Sequence, residues 1–177
     1  MRKMFALLAV SGLLIAMVAA PAGAKSDERP FKAYMTGEMS WNPFADDCVA
    51  ETGIPVRSYM NATGRVSHLG RSTLTGDHCT PQVTGYPDPD HNDPPSVATL
   101  VAANGDEVHM NYHGVCPPYW EAEEGIEFIC TFDFEIVGGT GRFAGATGGG
   151  SGTLSMVWLG EVPSTSAWWT WTGTIGY

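Results

Sequence analysis

Positive charge is scarce in this chain, with 9 Lys and Arg against 19 Asp and Glu. Two of those nine, Arg2 and Lys3, precede an almost wholly apolar run from Phe5 to Ala20, which is followed by the small residues Ala22-Gly23-Ala24. That succession is the layout of an export signal with its cleavage site; the run is short for a membrane anchor. Removing the first 24 of 177 residues leaves 153, starting at Lys25, the size of one domain with a substantial core. The expected organisation is therefore a signal peptide over 1–24 and a single domain over 25–177, secreted or periplasmic. Without Arg2 and Lys3, 7 basic residues face 19 acidic ones, a net charge near −12. Such a surface repels phosphate backbones and gains nothing at anionic lipid, which argues against nucleic acid or an electrostatic membrane role. No stable membrane insertion is expected once the signal is removed.

Other absences narrow the chemistry. No mature segment sustains the 3.6-residue apolar repeat of a long helix. No CxxC pair occurs among the four cysteines Cys48, Cys79, Cys116 and Cys130, so a cysteine-built zinc site has little support. An even number of cysteines in an exported chain points to two disulfides. There is no G-x-S-x-G elbow, since Ser151 sits in GGGSGT without the second glycine in register. No cofactor is expected.

What is present reads as strands. Phe31 to Trp41 alternates, with Ala33, Met35, Met39 and Trp41 on one face and Tyr34, Thr36 and Glu38 on the other. Asn42 to Tyr59 is irregular. Thr63 to His68 and Leu69 to His78 are two strands, or one long strand bent at Gly70. Five prolines between Thr80 and Pro95 mark a surface loop. Ser96 to Ala102 and Glu107 to Cys116 form a hairpin turned by Ala103-Asn104-Gly105-Asp106, because Asn-Gly tolerates the backbone angles of tight hairpins. Ile126 to Val137, Thr153 to Leu159 and Ser166 to Tyr177 supply the rest, with Gly160 to Thr165 connecting the last two. About eight short strands punctuated by Gly and Pro indicate an all-β antiparallel barrel or sandwich.

The stretch from Ile126 to Val137 carries the clearest alternation. Ile126, Phe128, Cys130, Phe132, Phe134 and Ile136 share one face, with Glu127, Thr131, Asp133 and Glu135 on the other. Placing Cys116 opposite Cys130 sets Tyr112 against Phe134 and Met110 against Ile136, joining apolar to apolar. A one-residue slip opposes apolar to polar throughout. Opposed residues lie within disulfide reach, so Cys116–Cys130 is the expected bridge and Cys48–Cys79 follows by elimination.

After Val137 comes GGTGRFAGATGGG. Its glycines admit backbone angles other residues avoid, Arg142 to Ala146 has room for one helical turn, and Phe143 is placed to plug one end of the core. A phosphate loop is disfavoured, for no Lys-Ser/Thr follows the glycines and no βαβ unit surrounds them. The segment GGTGRFAGATG at 138–148, following a strand and leading to another, resembles the corresponding turn of the dirigent and allene oxide cyclase barrels. It also resembles exported bacterial proteins of unassigned function that share it with an HLGR segment, here His68-Leu69-Gly70-Arg71. The resemblance spans about a dozen residues and implies an eight-stranded, up-and-down antiparallel barrel. It carries over no catalytic or substrate-orienting residue.

Candidate chemistry is sparse. His109 and His113 lie four apart on one strand, about 13 Å by the strand rise, too far for a shared metal. Asp88, Asp90 and Asp93, grouped with His91, offer carboxylate oxygens for calcium without EF-hand spacing, and the stretch reads better as a solvated acidic loop. Asp77 and His78 adjoin Cys79 but face opposite ways on a strand. Tyr112, Phe132, Phe134, Trp169 and Trp171 share inward faces and either fill the core or line a pocket for a small apolar ligand. Trp168 falls on the polar face, as a lid or an interface residue of a homo-oligomer. The leading expectation is a non-catalytic binding or structural module; an isomerase- or cyclase-like enzyme acting on an apolar substrate inside the barrel is the alternative.

Overall fold

The structure is a computed structural model that describes residues 27–53, 55–80, 96–117, 125, 127–157 and 164–177. The signal-peptide reading, the calcium reading at Asp88 to Asp93 and most of the Glu121 to Gly125 loop lie outside the described residues.

Eight antiparallel strands close into a barrel in simple sequence order, β1 (Arg29–Asn42), β2 (Arg57–Val66), β3 (Gly70–Cys79), β4 (Ser96–Ala102), β5 (Glu107–Val115), β6 (Glu127–Gly139), β7 (Thr147–Val157) and β8 (Ser164–Gly176). Closure comes from β1 against β8, running from Arg29 opposite Ile175 to Ser40 opposite Ser164. Among the described strands no sheet edge is left for another chain to pair with. Both disulfides pair as expected, Cys48–Cys79 and Cys116–Cys130. Such bridges belong to an oxidising, extracellular-type compartment. Among the described residues no helix is long and apolar enough to cross a membrane.

The β5–β6 register follows the apolar faces: Met110 opposes Ile136, Tyr112 opposes Phe134, and Gly114 opposes Phe132. It slips by one residue between His109 and Met110, opposite the glycines at the end of β6. Of the two readings near Gly70, the two-strand one holds. The chain reverses over Ser67 to Leu69, with His68 and Gly70 both at positive φ. The irregular stretch ends earlier than expected, since β2 begins at Arg57.

A larger correction concerns the glycines. The turn ends at Ala146, and Gly148 to Gly152 belong to β7, six residues before the expected strand start at Thr153. Large rings on the neighbouring strands explain this: a Cβ on Gly152 would stand 2.6 Å from the Phe132 ring and 2.5 Å from the Thr170 carbonyl oxygen. Inward glycines are the small members of a large–small alternation that fills the barrel.

Candidate functional site

The two ends of the barrel differ. One is sealed by the short turns β2–β3, β4–β5 and β6–β7. There the 3-10 turn Gly141–Phe143 drives Phe143 into the core, fully buried, with its ring 4.8 Å from that of Tyr177. The Arg142 guanidinium lies 4.7 Å over the Phe143 ring and also bonds the His68 carbonyl, tying two turns together. The other end receives the connections that follow β1, β3, β5 and β7, and both disulfides lie there. A 3-10 turn at Asp46–Cys48 and one helical turn at Val49–Thr52 sit at this end. Arg57 fastens them, donating to Asp77 on the barrel wall and to Asp47 at 2.7 Å. The Asp77 hydrogen bond, opposed by partial burial and helped by Asp47, raises the Arg57 pKa and keeps the clamp charged.

Below this elaborated end, around the middle of the barrel, several inward positions are aromatic. Phe132 on β6 and Trp171 on β8 both oppose Gly152 of β7, and their rings meet across it at 5.7 Å. Phe134 is 5.6 Å from Trp171 and 5.5 Å from Phe31, while Tyr112 is 6.2 Å from Phe132. Trp169 lies two residues before Trp171 on the same inward face and is 1% exposed. Alternation along β5, β6 and β8 therefore brings the five sequence-selected residues together. They are packed: Met60, Tyr112, Phe132, Trp169 and Trp171 enclose a void of only about 10 Å³, room for about one water.

Polar groups are buried in the same half. His78 is 4% exposed, and its Nδ1 lies 2.9 Å from the Tyr112 hydroxyl. Ser58 and Thr80 hydroxyls are 2.5 Å apart, and Thr165 donates to the Val157 carbonyl at 2.7 Å. Among the described residues Trp169 Nε1, Trp171 Nε1 and Ser96 Oγ are buried without a hydrogen-bond partner. Each such group costs about 1–3 kcal/mol, and in a native protein it calls for a specific reason.

Sequence reasoning set His78 aside because Asp77 faces the other way, and the structure agrees, with Asp77 outward on Arg57 and His78 inward. It missed the His78–Tyr112 pair. The available signal was phase, since His78 shares the inward face of β3 with Leu74. His109 and His113 stay outward and partly exposed, the former 2.8 Å from Glu107. No group of three metal-ligating side chains occurs among the described residues. Trp168 is outward and 44% exposed.

Fold and site together define a disulfide-pinned antiparallel β-barrel with one sealed end and one elaborated end. No protein family, curated protein or solved structure compared with this chain matches it.

Proposed function

We propose that the protein is an exported binding module that takes a small, mainly apolar ligand into the aromatic half of the barrel. The observation that carries this reading is the pair of buried, unpartnered indole N–H donors of Trp169 and Trp171 within a layer of rings. A ligand oxygen accepting from either recovers part of the desolvation cost, while the rings supply apolar contact. The void is about 10 Å³, so a guest takes its room from movable side chains. Met60, which borders the void, is the unbranched and adaptable member of the lining. Placement of both disulfides and the Asp46–Thr52 turns at this end fits a rigid frame around a binding mouth. The same reading places the chain beside the dirigent and allene oxide cyclase barrels, supported by the turn at 138–148 and the eight-strand order.

A second reading, an isomerase or cyclase, has one observation in its favour: the His78–Tyr112 contact at 2.9 Å, a buried pair able to hold and move a proton. No carboxylate is buried among the described residues, which leaves the binding reading ahead.

Titration with a neutral naphthylamine dye, followed by dye and tryptophan emission, tests the proposal. Saturable one-to-one uptake that weakens in Trp169→Phe or Trp171→Phe is expected. Uptake that never saturates, or that both variants leave unchanged, refutes it.

A further inference from the structure

The outer wall of the barrel carries a feature that the interior reading does not use. Arg65 on β2 and Arg71 on β3 are direct cross-strand partners, both exposed, on either side of the turn at 67–69. Like charges directly opposed on a sheet face destabilise the pairing, their Cβ atoms being about 5 Å apart. The other arginines among the described residues are engaged: Arg29 with Tyr177, Arg57 with Asp47 and Asp77, and Arg142 with Asp106 and the His68 carbonyl. Arg65 and Arg71 have no carboxylate within salt-bridge distance among the described residues. This occurs in a chain with 19 acidic side chains, where a partner for each was easily supplied.

The register gives the pair a setting. Tyr34, Arg65 and Arg71 form one outward row across β1, β2 and β3, and Thr36, Thr63 and Thr73 form the adjacent row. Both arginines and the three threonines line one groove of about 690 Å³. Two planar forks of N–H donors therefore stand beside a row of hydroxyls, the donor set that recognises the oxygens of a compact anion.

We infer that this groove is a binding site for a single phosphate, sulfate or carboxylate group, gripped between Arg65 and Arg71 with the threonine hydroxyls completing the contacts. Compactness follows from charge: a body near −12 repels an extended polyanion, whereas one anionic group cancels the local repulsion between the two guanidinium groups. The site lies outside the barrel and stands whether or not the interior takes a guest.

Thermal melts of the mature protein in sodium phosphate and sodium sulfate, at ionic strength held constant with sodium chloride, test the site. Both anions also stabilise folded proteins non-specifically by exclusion, so the readout is the difference between wild type and variants. Wild type is expected to show a saturable rise in Tm. Arg65→Gln and Arg71→Gln each weaken the apparent affinity by about tenfold or more, as loss of a charged hydrogen bond implies. The double variant loses the saturable part, and Lys32→Gln keeps it. In chloride alone the double variant melts at or above wild type, because the repulsion has gone. The inference is overturned by no saturable rise in wild type, by the same rise in the double variant, or by a double variant that is destabilised or unfolded in chloride.

Discussion

Phe143 offers the sharpest test of the barrel's polarity. Its ring is fully buried, lies 4.8 Å from Tyr177 and is covered by the Arg142 guanidinium at 4.7 Å. The turn around it has its own hydrogen bonds, Phe143 N–H to Thr140 O at 3.0 Å and Ala146 N–H to Phe143 O at 2.9 Å. Phe143→Ala therefore keeps the turn and removes the plug. Loss of buried ring area plus the residual cavity costs about 3–5 kcal/mol, and the upper half of that range applies because the closed, hydrogen-bonded barrel wall has little freedom to collapse. Equilibrium urea unfolding reads the loss. With a slope of about 2 kcal/mol/M, the midpoint falls by roughly 2–2.5 M at unchanged slope. Val137→Ala, outward and 49% exposed on the adjoining strand, is the control and stays within about 0.5 kcal/mol. A Phe143→Ala cost below about 1 kcal/mol would refute the sealed-end description.

Gly152→Ala forces a Cβ to 2.6 Å from the Phe132 ring and 2.5 Å from the Thr170 oxygen, and thermal melts should show a loss of about 1–3 kcal/mol from overpacking. Tyr112→Phe removes the hydroxyl 2.9 Å from His78 Nδ1, at an expected cost of about 1–3 kcal/mol, whereas His113→Ala on the outer face changes little. Replacing Cys116 and Cys130 together by serine opens a bridge of sequence separation 14, worth about 3 kcal/mol by the chain-entropy relation. Non-reducing peptide mapping should return Cys48 with Cys79 and Cys116 with Cys130, and a fragment joining Cys48 to Cys130 contradicts the fold.

Much of the barrel was legible because strands alternate. Apolar residues at every second position of β5 and β6 fix their register, and one register placed Cys116 beside Cys130, as found. The glycine run was misread in part for a physical reason. A glycine that makes room for a ring on a neighbouring strand has the same local signature as one that permits a turn, and only the packing of Phe132 and Trp171 on either side of Gly152 separates them. The start of β2 was hidden because Arg57 and Ser58 carry no apolar pattern; they are held by Asp47, Asp77 and Thr80, all distant in sequence. For the site, the five ring-bearing residues were visible from phase alone. The His78–Tyr112 contact and the Arg65–Arg71 pair were not, since each depends on which strands become neighbours.

The interior binding reading is tested most directly by native mass spectrometry of the mature protein, isolated without detergent and paired with organic extraction. A lipid- or terpenoid-sized mass is expected to accompany the folded protein, to leave on extraction, and to be lost in Trp171→Ala while the fold persists. A bare protein mass in every preparation, together with no saturable uptake of a neutral apolar dye, contradicts it.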